Sequence, residues 1–181
     1  LLRIVVSSKI YIKPLVRIHQ LKHHYFIIGL TQERFELFEV FNEKIAPFAM
    51  DKSILKTADE VLGTEKTESY LSAGSFTSTS SRGILHGHGG QKPENDIDAE
   101  RFFRYVDKTI SDTITNIQSL PIVLCALQQN EQMYRRHAKD VNLLKYSIET
   151  NFESLSLEEL KTKGDDIIKS YRQSHFSTLL K

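Results

Sequence analysis

The chain has 181 residues, of which 40% are hydrophobic and 26% charged, with a formal net charge of +1 and one cysteine. That is enough chain for one substantial core, burying on the order of 70% of its unfolded surface, and no apolar run approaches the roughly 20 residues of a membrane helix. The charge balance does not mark a general polyanion binder, and a single cysteine excludes an internal disulfide framework or a multi-cysteine metal site.

Leu1 to Val6 is a short β-branched run and reads as a strand. Arg3, Lys9 and Lys13 are scattered through this start, unlike a secretory signal. A short helix is expected after Pro14, through Leu15, Val16, Ile18 and Leu21. Tyr25 to Leu30 is continuously apolar, as in a buried central strand. Thr31-Gln32-Glu33 makes a hairpin connection to a strand over Arg34 to Phe41, nearer the sheet edge and with one mixed face. Ile45 to Ala49 gives a third short strand. Ile54, Leu55, Ala58, Val61 and Leu62 follow helical spacing, with Asp51 or Ser53 as the cap and Gly63 as the stop.

Residues 64–95 are rich in Ser, Thr, Gly and charge and are expected to form a long mobile loop. A helix is expected from about Asp96, capped by Asn95 or Asp96, with Asp98 and Glu100 set favourably against its dipole. Its stripe is Phe102, Phe103, Val106, Ile110, Ile114 and Ile117. Pro121 to Leu127 is a second central strand, Glu131 to Ala138 a helix, and Leu143 to Glu149 a strand with Leu144, Tyr146 and Ile148 on one face. Leu157, Leu160, Ile167, Ile168 and Tyr171 mark the last helix, with Ser156 and Glu159 at capping-box spacing. Early strands followed by helix–strand alternation imply an α/β fold: a mixed sheet with helices on both faces.

Four places carry chemistry. In His86-Gly87-His88-Gly89-Gly90-Gln91-Lys92, paired glycines permit special backbone angles and close approach to another molecule, or simply make a turn-rich loop. His86 and His88 are spaced to share a metal, but two histidines do not complete a site, so none is assigned. Arg101, Arg104 and Lys108 lie at i, i+3 and i+7, giving one basic helix edge that suits phosphate or is an ordinary solvated face. Tyr134-Arg135-Arg136-His137 is a second basic run, read as solvated surface. Cys125 sits in an apolar strand and reads as an inert thiol.

The Gly-Gly-Gln triplet feeding a basic helix resembles the middle domain of archaeo-eukaryotic class-I peptide-chain release factors. With Lys13-Pro14-Leu15, Phe102-Phe103-Arg104-Tyr105-Val106-Asp107, Leu120-Pro121-Ile122-Val123-Leu124 and Tyr134-Arg135, the chain looks like the bacterial relatives called baeRF, most like family three, over residues 9–175. The resemblance implies a ribonuclease H-like domain over residues 23–181, preceded by the end of another domain at 1–8 and a linker at 9–22. The chain begins at Leu1 without a methionine and stops at Lys181 without a helix-ending signal, as a fragment would. Implied too is a cytoplasmic translation release or ribosome-rescue factor. Gly89, Gly90 and Gln91 would then promote peptidyl-tRNA ester hydrolysis. His88, Lys92, Arg101, Arg104 and Lys108 would touch RNA, with the ribosome and peptidyl-tRNA as partners. The mechanism requires no metal, nucleotide or other cofactor. The alternatives are a non-catalytic, Pelota-like docking module and an RNA- or metal-dependent enzyme using His86 and His88. Basic residues flank the triplet in the family's pattern; here His88 precedes it, and Glu94, Asp96 and Asp98 soon follow.

Overall fold

The computed structural model describes residues 24–65, 91–115, 120–139 and 142–179. The strand expected at Leu1–Val6, the linker and most of the 64–95 loop lie outside them.

Strand β1 (His24–Leu30) is the middle of a five-stranded mixed sheet. It pairs antiparallel with β2 (Phe35–Phe41), which in turn pairs with edge strand β3 (Lys44–Pro47). On its other side β1 runs parallel to β4 (Ile122–Ala126), and β4 to edge strand β5 (Leu143–Ile148). Four helices accompany the sheet among the described residues: α1 (Ala58–Leu62), α2 (Gln91–Ile110, continued by a π turn over Ser111–Thr115), α3 (Gln128–His137) and α4 (Leu157–Leu179).

Both sheet faces are covered, which is why β1 and β4 read as unbroken apolar runs rather than alternations. On one face Phe26, Ile28, Leu30, Ile122 and Leu124 pack with Phe102, Phe103 and Val106 of α2 and Met133 and Tyr134 of α3. On the other, Tyr25, Ile27, Val123 and Cys125 pack with Leu160 and Ile168 of α4. This is the mixed α/β sheet with helices on both faces expected of a release-factor-middle-like domain. The mixed face of β2 is also found. Glu39 lies there, beside Phe41, and its Oε1 is 2.8 Å from His24 Nε2.

At the partly buried margin of the second layer, the Tyr25 hydroxyl donates to Asp165 Oδ1 at 2.8 Å, and Lys161 Nζ donates to Oδ2 at 2.8 Å. Burial, then the hydrogen bond to Asp165 and its charge, hold the phenol well above its ordinary range, so it remains a donor. The last helix has its expected capping box. The Glu159 N–H donates to Ser156 Oγ at 3.3 Å, and the Ser156 N–H to Glu159 Oε2 at 2.9 Å.

Two local expectations are corrected. The first short helix begins at Ala58, not near Ile54. Thr57 is its cap, in a full capping box with Glu60, while Asp51 Oδ1 accepts the Ser53 N–H at 2.8 Å and so closes a turn instead. Gly63 does end that helix, with φ of 50°. Tyr146 does not share the packing of Leu144 and Ile148. The β4–β5 register shifts between Ile122 and Leu124, so Leu144, Lys145 and Tyr146 stand opposite Val123, and Tyr146 is 60% exposed.

The central strand passes Phe152 with no room for a side chain. A Cβ on Gly29 would lie 2.5–2.9 Å from three ring carbons of Phe152, itself buried against Phe38. Gly29→Ala is therefore expected to cost about 1–3 kcal/mol by denaturant unfolding. The double variant Gly29→Ala/Phe152→Leu should lose less than the sum of the single changes. Strict additivity would show that the ring is not the obstacle.

Candidate functional site

Helix α2 begins at Gln91, earlier than the Asn95 or Asp96 cap expected from sequence. Its opening turns carry Lys92, Pro93 and Glu94. A helix tolerates proline there because its first N–H groups have no intrahelical acceptor. Gln91 thus stands at the positive end of a 20-residue helix. Asp98 is not at the dipole's end but further in, 7% exposed, with Oδ1 3.9 Å from Arg101 Nη1. His86, His88, Gly89 and Gly90 lie outside the described residues, as do the side chains of Gln91 and Lys92.

The aromatic stripe and the basic edge of α2 separate cleanly. Phe102 and Phe103 are fully buried, as core residues rather than base-stacking groups. Arg101, Arg104 and Lys108 are exposed. Among the described residues Arg104 pairs weakly with Glu100, at 3.8 Å, an exposed spacing worth about 0.3–0.5 kcal/mol.

The second basic run divides by role. Tyr134 is buried and meets Phe103 edge-on, with ring centroids 6.2 Å apart. Arg135 is structural: its Nε donates to Glu131 Oε1 at 2.7 Å and its Nη2 to the Leu144 carbonyl at 3.0 Å. Arg136 and His137 turn instead toward α2. Together with Lys139 they form one wall of a groove of about 650 Å³, and Arg104 and Lys108 of α2 form the other. Ser111, in the π turn, and Asp107 complete the α2 side. Asp107 is 7% exposed and accepts the Lys139 backbone N–H at 3.2 Å, which ties the chain leaving α3 to α2. His137 Nε2 is buried with no hydrogen-bond partner among the described residues; Glu100 Oε2 is 3.7 Å away.

Two basic runs that look unrelated in sequence are therefore brought together. The missed signal was the i, i+3 spacing of Arg136 and Lys139 at the end of a helix. It could be read only once α3 was known to lie beside α2. Arg101 does not line the groove.

Other candidates carry less. No group of three metal-binding side chains occurs among the described residues, and no described helix is long and apolar enough to cross a membrane. The Cys125 thiol is fully buried and donates to the Thr150 carbonyl at 3.4 Å. Burial pushes its pKa up to about 12. Alkylation of the folded protein at pH 8 should be slower than that of an exposed cysteine by on the order of a thousandfold, from thiolate fraction alone. Mass spectrometry with iodoacetamide reads this, and rapid labelling without unfolding would contradict the inert assignment.

No curated protein matches the chain. The family model described as bacterial archaeo-eukaryotic release factor family 6 matches residues 23–170. The sequence resemblance pointed to the same group, though to its third family rather than its sixth. That match takes in every strand of the sheet, both helices that wall the groove and much of α4, so the chain belongs to the bacterial archaeo-eukaryotic release factors, in family 6.

Proposed function

We propose that the protein acts on the ribosome as a release or rescue factor, promoting hydrolysis of the peptidyl-tRNA ester through Gly89-Gly90-Gln91. The observation that carries this reading is family membership across the sheet and α2, joined to the start of that helix at Gln91, the last residue of the triplet. In the proposed step, water attacks the ester carbonyl. A carbon–oxygen bond forms to the water oxygen, the acyl bond to the tRNA ribose oxygen breaks, and a proton from the water ends on that ribose oxygen as a hydroxyl. The charge that develops on the carbonyl oxygen needs donors already in place, each typically worth about 3–4 kcal/mol. A helix N-terminus favours negative charge, which supports a role for the Gln91 backbone. Two glycines before it allow close approach to the ester.

In this reading residues 1–8 end a preceding domain, 9–22 are a linker, and 23–181 are the middle-like domain. The factor works in the cytoplasm, with ribosome and peptidyl-tRNA as partners and no cofactor. His88, Lys92, Arg101, Arg104 and Lys108 supply contacts to RNA.

The test is peptide release from purified ribosomes carrying peptidyl-tRNA, alongside ribosome binding, with full-length protein. Binding with release supports the proposal. Binding without release would leave a Pelota-like docking module in its place.

A further inference from the structure

We infer that the groove between α2 and α3 holds an RNA phosphodiester backbone, gripped by Arg104 and Lys108 on one wall and by Arg136 and Lys139 on the other. This rests on the release-factor reading for the choice of RNA over other nucleic acids. The groove itself rests on geometry alone.

Charge is concentrated here against the run of the chain. The whole protein carries a net +1, yet among the described lining residues four cationic side chains surround one groove, with Asp107 as the one carboxylate. Among the described residues Lys108, Arg136 and Lys139 make no ion pair, and Arg104 has only the distant Glu100. Like charges gathered this way repel one another until a polyanion sits between them.

The walls are fixed before any ligand arrives. Phe103 and Tyr134 pack α2 on α3. Asp107 holds the backbone at Lys139, and Arg135 is anchored to Glu131 and to the Leu144 carbonyl. Arg104 and Lys108 are one turn apart, a rise of about 6 Å along the axis. That separation is comparable with the distance between successive phosphates on a strand. Ser111 adds a hydroxyl of the type that commonly donates to phosphate oxygens.

The lining argues against a peptide. Among its described lining residues Ala138 is the one apolar side chain, whereas protein interfaces are anchored by aromatic and large apolar side chains in a desolvated centre. Arg, Lys and Ser without such an anchor fit backbone phosphates, which fix position without reading sequence.

Binding of a short labelled RNA hairpin should be followed by fluorescence anisotropy across a salt series. The full chain is compared with Lys108→Gln/Arg136→Gln/Lys139→Gln, and with Lys52→Gln/Lys163→Gln/Lys169→Gln, which removes equal charge elsewhere. Each phosphate contact contributes roughly 0.7–0.9 to the slope of log affinity against log salt. The groove variant should flatten that slope by about two to three units, while the control keeps the wild-type slope. Lys108→Arg/Lys139→Arg should retain it, separating charge from folding. The inference is overturned if both triple variants flatten alike, if the groove variant binds as wild type, or if wild type shows no salt-dependent RNA binding. It is overturned too if polyglutamate displaces RNA as well as unlabelled RNA does. Peptide release by full-length Gly90→Ala keeps the two readings apart. Lost release with groove-independent RNA binding sinks the groove alone, and unchanged release with groove-dependent RNA binding sinks the tip alone.

Discussion

Full-length protein carrying Gly90→Ala should bind ribosomes as wild type does and release peptide at least about a hundredfold more slowly. Loss of one positioned oxyanion donor typically costs about 100- to 1000-fold in rate. On the proposed mechanism, a methyl group at Gly90 would act on the same quantity indirectly, by restricting the backbone and holding the triplet away from the ester. Gln91→Ala should share the rate defect and the preserved binding. Neither change is expected to shift stability beyond about 0.5 kcal/mol, the usual range for surface substitutions away from a core. Among the described residues, the core contribution of this helix comes from Ala99, Phe102, Phe103, Val106 and Ile110, two or more turns further along. Single-turnover release and ribosome pelleting separate chemistry from binding. A wild-type release rate in Gly90→Ala would remove the tip from the mechanism.

Phe103→Ala should be the most damaging change to the fold among the residues of α2. The ring is fully buried and lies between Phe102 and Tyr134, with centroids 6.2 Å from each. Truncating a buried phenylalanine costs about 3–5 kcal/mol, through lost transfer energy and the cavity left behind. Domains of this size are stable by only about 5–15 kcal/mol, so the midpoint should fall by roughly 6–20 °C. Phe103→Leu refills much of the space and should cost far less. Urea unfolding followed by circular dichroism reads both. A loss below about 1 kcal/mol for Phe103→Ala would mean that the ring does not join α2 to α3.

The sheet was legible because its central strands are buried on both faces, so Tyr25–Leu30 and Pro121–Leu127 announce themselves as unbroken apolar runs. Helix termini were harder to read. The first turn of α2 is Gln91-Lys92-Pro93-Glu94, with no apolar residue to signal a period, so the sequence places the start near Asp96, where a capping residue is at hand. Ile54 and Leu55 imitate helical spacing ahead of α1, yet Leu55 is 39% exposed and the true cap is Thr57. Tyr146 was misplaced because alternation assumes a constant register, and the register shifts beside it. The basic groove was invisible for a different reason. Each run is local, but their meeting depends on two helices being packed side by side on one sheet face, which no local period encodes.

The pairing of β1 with β4 bears on how the molecule folds and how its relatives can vary. The hairpin of β1 and β2 closes over a few residues, whereas Phe26 meets Ile122 only after the chain has passed through α1 and α2. Loop-closure entropy makes such distant pairings slow to form, so the hairpin is positioned to form early and β4 to dock late. The same logarithm has an evolutionary side. Each doubling of the closed length adds only about 0.6 kcal/mol. The stretch between α1 and α2, which carries the triplet, can therefore gain or lose residues at little cost to the sheet. Selection can vary the length of that connection while the scaffold keeps its stability.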